Sequence, residues 1–199
     1  MVITDPLLLK GRDPVEVCRQ AARGGATMIQ VRWKDGAPAD VLHLARALVA
    51  ALPVPVLVND RVDVALAAGA SGAHLGWDDP PLDSLRPHLP AGFLLGISVG
   101  SAAEAQRASS TTADYWSVGP CFATPSKSDA GPALGPDGFA AIARHAPEGV
   151  PVIAIGGVTP ANARQIIRAG AKGFAVIGAV LGAADPEAAA RALAAAAPA

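Results

Sequence analysis

Short apolar runs recur along the chain and are separated by longer stretches rich in alanine, leucine and arginine. Most of the runs are continuously apolar rather than alternating in polarity, which is typical of parallel strands that are covered on both faces. The pattern predicts strands at residues 2–4, 27–31, 54–58, 72–75, 94–98, 115–118, 152–155 and 174–177.

The stretches between these strands carry signals that start and stop helices. Asp13 precedes a proline, as an N-cap does, and Gly69 follows an alanine-rich segment, as a C-cap does. Ser101 and Glu104 have the spacing of a capping box. The predicted helices cover residues 14–23, 38–52, 61–68, 82–88, 101–108, 138–144, 160–169 and 186–196.

Strict alternation of strand and helix predicts an α/β protein of the (β/α)8 TIM-barrel class. An open doubly wound sheet is the alternative, but such a sheet is normally split by one switch point and needs fewer units at this length. We therefore expect residues 1–199 to form a single TIM-barrel domain.

Composition excludes several classes of partner. The net charge is −1 and the chain has no basic cluster, so we expect no nucleic-acid partner. The longest apolar runs are far shorter than the roughly 20 residues of a membrane helix. No basic n-region with an apolar h-region opens the chain, so we expect no signal peptide. Cys18 and Cys121 lack metal-type spacing and predict two reduced thiols in a cytoplasmic protein.

Polar residues gather where the predicted strands end, which is where such barrels carry their chemistry. Gln30, Arg32 and Lys34 alternate with apolar residues, so an extended segment would place them on one side. The polar residues at the ends of the next three strands or just after them are Asn59, Asp60, His74, Asp78, Asp79 and Ser98.

Glycines follow the last two strands, at Gly156, Gly157 and Gly178, where backbone N–H groups can approach a phosphate. Any tight turn after a strand also favours glycine, so this signal is weak alone. Asp60 and Asp79 could hold Mg²⁺, which takes one or two carboxylates plus substrate phosphate oxygens. The alternatives are that Asp60 caps the next helix and that Asp79 is a turn residue.

The segment "GPCFATPSKSDAG", residues 119–131, is longer than the usual connection of roughly 4–6 residues. It carries the hydroxyls of Thr124 and Ser126 and the ammonium group of Lys127. Its small and polar residues also suggest a loop that closes over a substrate as a lid.

Seven motifs in order extend the interpretation. They are "QVRWK", "VNDRVDVAL", "GAHLGWDD", "LLGIS", "ADYWSVGPCFATPSK", "VIAIGGVTPAN" and "AGAKGFAVIGAV". With this order and spacing the chain resembles the thiamine-phosphate synthase family, within the superfamily that also contains thiazole tautomerases.

The resemblance implies a transferase that couples a hydroxymethylpyrimidine diphosphate with a thiazole phosphate. The products would be thiamine phosphate and pyrophosphate, formed by a dissociative substitution assisted by Mg²⁺. The enzyme would mainly neutralise the leaving pyrophosphate and align the two rings. The sequence does not decide the oligomeric state, and a homo-oligomer stays open.

The resemblance also implies roles for individual residues. Asp60 and Asp79 would hold Mg²⁺, and Lys34, Lys127 and Ser98 would be catalytic. The pyrimidine diphosphate would be bound by Gln30, Arg32, Lys34, Asn59, Ser98 and Lys127. The thiazole phosphate would be bound by Thr124, Pro125, Ser126, Gly157, Ile177 and Gly178.

This chain departs from the family pattern at three positions. Trp77 replaces the usual Gln, Ser126 replaces Thr, and Gly178 replaces a Ser whose side chain would donate to the phosphate. A thiazole tautomerase is the close alternative, although its bacterial type has a His near the position of Pro120. A non-catalytic regulator that binds thiazole phosphate is the other alternative, and it would not need both aspartates.

Overall fold

The computed structural model describes residues 1–124 and 131–197. Within them, eight strands form one sheet in the order of the sequence, and the paired strands run parallel. The strands are Val2–Ile3 (β1), Ile29–Val31 (β2), Val56–Asn59 (β3), Gly72–Leu75 (β4), Leu94–Val99 (β5), Tyr115–Val118 (β6), Val152–Ile155 (β7) and Phe174–Ala175 (β8).

Helical segments follow the strands throughout the described residues. They are Pro6–Leu9 (α1), Pro14–Arg23 (α2), Pro38–Ala51 (α3), Val62–Ala68 (α4), Leu82–Leu85 (α5), Ala102–Ala108 (α6), Gly135–Ala143 (α7), Ala163–Arg168 (α8), Gly178–Leu181 (α9) and Pro186–Ala194 (α10). A 3₁₀ turn, Arg86–His88, continues α5.

Sequential parallel strands linked by helices are the topology of a (β/α)8 TIM barrel, so the predicted fold class is confirmed. The predicted helix caps at Asp13 and Ser101 are also confirmed, because these side chains accept from the N–H groups of Val15 and Glu104. The division into one domain stays a prediction.

The structure corrects the expected strict alternation in one respect. Two four-residue helices, α1 after β1 and α9 after β8, were not predicted. A single turn is too short to produce a recognisable apolar period. The position of α9 depends on tertiary contacts, whereas α1 begins at a local cap in which the Asp5 side chain accepts from the Leu7 N–H.

Two predicted helix starts are also wrong by three residues. The helix α7 begins at Gly135 rather than residue 138, because Pro136 fits the first helical turn. The helix α8 begins at Ala163 rather than residue 160. The Asn162 side chain accepts from the Thr159 N–H at 2.8 Å and donates to the Gly157 carbonyl at 2.9 Å, which holds the intervening residues in a turn.

The described chain divides into two compact units. The first contains Met1–His74, Gly92–Leu94 and Ile177–Ala195. Its helix α3 buries Val41, Leu44, Ala45 and Leu48, whose spacing places them on one helical face. This apolar face explains why an alanine-rich segment forms a stable helix here.

The second unit contains mainly Leu75–Ala91 and Leu95–Val176. Its core includes the fully buried side chains of Trp116 on β6 and Phe139 on α7. No helix among the described residues combines the length and apolarity that a membrane span requires.

Candidate active site

Three polar residues of the first unit lie on one face of its strands. The register pairs Gln30 with Leu57 and Asn59 with His74. Paired residues and residues two apart on a strand share a face, so Gln30, Asn59 and His74 project to the same side. Gln30 is only 2% exposed and His74 only 6% exposed, which makes both unusual among polar residues.

The backbone of Arg32 is held by a buried hydroxyl group from β1. The Arg32 N–H donates to Thr4 Oγ1 at 2.9 Å, and Thr4 Oγ1 donates to the Arg32 carbonyl at 3.1 Å. Thr4 is fully buried. One side chain therefore satisfies both backbone groups of Arg32 where β2 ends and its hydrogen-bonded ladder stops.

The structure corrects the expected placement of Lys34. The strand β2 ends at Val31, and a turn closed by the Gly36 N–H and the Trp33 carbonyl, 3.2 Å apart, follows Arg32. Lys34 lies exposed in this turn and does not continue the extended segment that contains Gln30 and Arg32.

Asp60 occupies a strained backbone position directly after β3. Its φ angle is +62°, and the Arg61 N–H donates to the Asn59 carbonyl at 2.7 Å across it. This combination is that of a γ-turn with positive φ, which is rare and strained. The Asp60 N–H also donates to the His74 carbonyl at 2.8 Å, which ties the turn to β4.

Asp60 does not cap the helix that follows it. The helix α4 begins at Val62, its N-cap is Arg61, and no side-chain hydrogen bond caps it. The Arg61 guanidinium instead forms two hydrogen bonds with Asp63, at 2.8 and 2.6 Å, and this pairing lowers the pKa of Asp63. The strained turn at Asp60 thus serves no evident purpose in starting the helix, which favours a functional explanation.

In the second unit, Asp79 lies in the loop after β4. Its Oδ2 accepts from the Gly76 N–H at 2.7 Å, so the turn interpretation describes part of its role. Its Oδ1 accepts no hydrogen bond from the described residues. Asp78 is exposed, whereas Asp79 is half-buried.

Trp77 in the same loop lies beneath the guanidinium of Arg107 on α6, whose Cζ is 4.2 Å from the ring centroid. This is the geometry of a cation–π interaction, which pins the loop against α6. The Trp77 Nε1 is buried without an acceptor among the described residues. The departure from the family's Gln therefore exchanges an amide for an aromatic packing contact.

Two serine hydroxyl groups lie side by side on the neighbouring strands β5 and β6. Ser98 pairs with Ser117 on β6, so their side chains share one face. Ser98 is half-buried and Ser117 is 4% exposed. Ser117 carries no role in the family resemblance, and an isolated serine within a strand gives no sequence signal.

The loop after β6 is fastened to the end of β7. The Cys121 N–H donates to the Ile155 carbonyl at 2.8 Å, and the Phe122 N–H donates to the Gly156 carbonyl at 3.0 Å. Gly157 has a φ of +63°, and a Cβ there would lie 2.5 Å from the Ala123 carbonyl oxygen. Only glycine fits this contact, which fixes the chain just before the half-buried Thr124.

Three predicted ligands in this loop, Pro125, Ser126 and Lys127, lie outside the described residues, as does the part of the predicted lid at residues 125–130. In the first unit, Ile177 and Gly178 form the start of α9 and are half-buried. The described residues contain no group of three or more His, Cys, Asp or Glu side chains able to hold a metal.

Sequence reasoning missed two residues that organise these segments. Thr4 was assigned no role, although a hydroxyl at the end of a buried strand is a recognisable signal. Asn162 was placed inside a helix, although Asn favours caps and turns because its side chain competes for backbone groups. Both act on the backbone of a predicted ligand, Arg32 and Gly157 respectively.

The topology, with polar side chains at the carboxyl ends of the strands, is that of a (β/α)8 enzyme. A profile described as "Thiamine monophosphate synthase" matches residues 1–180. A curated relative named thiamine-phosphate synthase, from Roseiflexus castenholzii, is 48% identical over 96% of this chain and 85% of its own length. Another of the same name, from Roseiflexus sp., is 49% identical over 96% of this chain and 82% of its own.

A solved structure, the thiamine phosphate pyrophosphorylase from Pyrococcus furiosus, is similar with a TM-score of 0.86 and 36% identity. The match covers 98% of this chain and 93% of that one. The chain belongs to the thiamine monophosphate synthase family. The predicted family, activity and transferase class are thereby confirmed, and the tautomerase and regulator alternatives are not favoured.

Proposed function

We propose that the protein joins a hydroxymethylpyrimidine diphosphate to a thiazole phosphate, which yields thiamine phosphate and pyrophosphate. The bond between the pyrimidine methylene and the diphosphate oxygen breaks, and its electron pair leaves with pyrophosphate. The thiazole nitrogen then supplies the electron pair for the new carbon–nitrogen bond. The observation that carries the proposal is the identity of 47–49% with three curated thiamine-phosphate synthases across 96% of the chain.

The proposal assigns the diphosphate to cations near the ends of strands. Arg32 would bind it with a backbone already fixed by Thr4. Lys34, which is exposed, would add positive charge as the diphosphate leaves, and so would Lys127. Gln30 and Asn59 would orient the pyrimidine diphosphate through hydrogen bonds, and Ser98 would lie beside the pyrimidine ring. Fixed donors of this kind stabilise a leaving anion without reorganisation during the reaction.

The proposal assigns the thiazole phosphate to backbone and hydroxyl donors. The Gly157 N–H donates to no group among the described residues, which leaves it for a ligand. Thr124, Pro125 and Ser126 would contribute from the loop after β6, and Ile177 and Gly178 from the start of α9. Backbone N–H groups suit a phosphate because they carry partial positive charge.

Asp60 and Asp79 have the chemistry of a Mg²⁺ site that a substrate phosphate completes. Asp60 lies in the strained turn directly after β3. Oδ1 of Asp79 accepts no hydrogen bond from the described part of the chain. These observations support the assignment of both carboxylates to a cation. Bound Mg²⁺ would neutralise charge that develops on the pyrophosphate. The two buried free thiols support a cytoplasmic location within the proposal.

The test is to incubate the purified protein with both substrates and Mg²⁺ and to measure thiamine phosphate and pyrophosphate. Asp79→Asn should abolish turnover, whereas Asp78→Asn, at the exposed neighbouring position, should leave it unchanged. Equal activity of the two variants would refute the metal assignment. Isomerisation of the thiazole without coupling would indicate a tautomerase, and binding without turnover would indicate a regulator.

A further inference from the structure

Arg12 donates hydrogen bonds to the carbonyl ends of two short helices. Its Nε donates to the Leu9 carbonyl at 3.1 Å and its Nη2 to the Leu8 carbonyl at 3.4 Å, at the end of α1. Its Nη1 donates to the Ala183 carbonyl at 2.9 Å, and Nη2 also donates to the Leu181 carbonyl, at the end of α9. One half-buried guanidinium therefore connects helices that are about 170 residues apart in the chain.

The helix α9 depends on such contacts because it has only four residues. Starting a helical turn is unfavourable, and the last carbonyl groups of a helix lack partners within it. Val180 and Leu181 anchor the turn through complete burial of their side chains. Arg12 supplies the missing donors and a positive charge, which is favourable at a helix C-terminus.

Arg12 is itself held in place by a longer helix. It precedes Asp13, whose side chain caps α2 by accepting from the Val15 N–H at 2.9 Å. The helix α2 has ten residues and buries Val17, Cys18 and Ala21. The hydrogen bonds of the Arg12 guanidinium thus restrain the single turn of α9 relative to the well-packed helix α2.

We infer that Arg12 is a positioning residue for the thiazole phosphate and acts through α9. The inference rests on the proposed function, which assigns Ile177 and Gly178 at the start of α9 to that phosphate. A four-residue helix is about 6 Å long, so loosening its end at Leu181 displaces the N–H group of Gly178. Arg12 itself donates to carbonyl groups and need not contact the substrate.

Arg12→Ala should raise the KM for thiazole phosphate about tenfold or more, because several charge-assisted hydrogen bonds are lost. The KM for the pyrimidine diphosphate and kcat at saturation should change less than about twofold. Arg12→Lys should be intermediate, since one ammonium group cannot span both helix ends as a planar guanidinium does. Millimolar guanidinium added to Arg12→Ala should restore part of the affinity.

Arg19→Ala is the matched control on the same segment. Arg19 forms a partly exposed ion pair with Glu16 at 2.7 Å, and no hydrogen bond joins it to α9. The kinetic constants of Arg19→Ala should equal those of the unaltered protein. Hydrogen exchange measured by mass spectrometry should be faster for residues 177–183 in Arg12→Ala and unchanged in Arg19→Ala.

An unchanged KM for thiazole phosphate in folded Arg12→Ala would overturn the inference. Equal losses for both substrates would also overturn it, because they indicate general destabilisation. If Arg12→Ala does not fold, Arg12→Lys decides by the same two constants. If the unaltered protein forms no thiamine phosphate, the proposed function fails, and the binding of thiazole phosphate is then measured by calorimetry. Weaker binding to Arg12→Ala than to the unaltered protein supports the role of Arg12. Equal binding to the two proteins, or no binding to either, overturns the inference about Arg12.

Discussion

The hydroxyl of Thr4 completes the backbone hydrogen bonds of Arg32, accepting from its N–H at 2.9 Å and donating to its carbonyl at 3.1 Å. The two residues belong to neighbouring strand ends, and neither backbone group has another partner in the sheet ladder at that point. A single buried side chain thereby sets the direction in which Arg32 leaves β2. Affinity for the pyrimidine diphosphate should depend on it.

Thr4→Val keeps the shape of the side chain and removes the hydroxyl. The free energy of unfolding should fall by about 1–3 kcal/mol, because two backbone groups lose their partner in a partly buried place. The KM for the pyrimidine diphosphate should rise, since Arg32 is no longer fixed. Denaturant unfolding and steady-state kinetics measure the two effects.

Thr4→Ser is the control because it retains the hydroxyl and loses one methyl group. It should keep the KM of the unaltered protein with a smaller loss of stability. If Thr4→Val and Thr4→Ser had the same KM, the link between Thr4 and Arg32 would have no part in binding.

The γ-turn at Asp60 allows function and stability to be separated. Asp60→Asn and Asp60→Gly should both lose Mg²⁺-dependent turnover, yet both should fold with stability within about 1 kcal/mol of the parent, because Asn and Gly tolerate positive φ. Asp60→Ala should be less stable than Asp60→Gly by about 1–2 kcal/mol, since a Cβ without a compensating polar group is disfavoured there. Thermal unfolding and product assays check both parts.

A contrary result would be specific. If Asp60→Ala were as stable as Asp60→Gly, the positive φ of residue 60 would not be a property of the folded protein. If Asp60→Gly retained full turnover, the strained position would not serve the metal.

Much of the fold could be predicted because it depends on patterns longer than one turn. The apolar runs predicted β4, β6 and β7 to the residue, and the proline and cap at Asp13 predicted α2 equally well. The one-turn helix α9 could not be predicted, because Arg12 stabilises its end from a distant part of the sequence. The one-turn helix α1 has a local signal in its cap, Asp5, and in the proline that follows, but four residues are too few to show an apolar period.

The candidate site shows the same division. Motifs identified Asp60 and Gly157 as residues of interest, since aspartate and glycine at strand ends are visible in a sequence. The reason for their backbone conformations was not visible in the sequence. The Asp60 N–H donates to the His74 carbonyl, the Asn162 side chain donates to the Gly157 carbonyl, and Ala123 approaches Gly157 closely. Tertiary contacts of this kind have no local signature.

Gly157 and Gly69 provide a matched pair for testing the close contact between Gly157, which follows β7, and the loop after β6. Their φ angles are +63° and +69°, but an added Cβ at Gly157 would meet Phe122 and Ala123, whereas at Gly69 nothing lies within 4 Å. Both changes to Ala should incur the backbone strain of about 1–2 kcal/mol. Only Gly157→Ala should add a packing penalty of about 1–3 kcal/mol and raise the KM for thiazole phosphate.

Because both variants place alanine at a positive φ, that effect cancels when their free energies of unfolding are compared. The remaining difference measures the contact between residue 157 and the loop after β6. Urea unfolding of both variants gives the stability difference, and kinetics with each substrate varied gives the functional one. Equal stability and equal KM values in the two variants would mean that the close approach at Gly157 does not constrain the loop.

Both cysteines should be unreactive in the folded protein. Cys18 and Cys121 have no exposed surface, and burial raises the pKa of each thiol from 9 to about 12. The thiolate is the reactive form, so a disulfide reagent should label neither thiol at pH 8 until denaturant is added. Rapid labelling of the native protein would show that one of the two thiols is accessible.

The same pKa values determine how stability depends on alkaline pH. Between about pH 9 and 12 the unfolded chain loses thiol protons that the folded chain retains, so the unfolded state binds fewer protons and the free energy of unfolding falls as pH rises. Other groups also titrate in this range, so the comparison must be with a Cys18→Ala, Cys121→Ala double variant. Its stability should decline less steeply above pH 9, because alanine has no proton to lose. Parallel curves for the two proteins would mean that the thiols are not held protonated by burial, whatever their reactivity at pH 8.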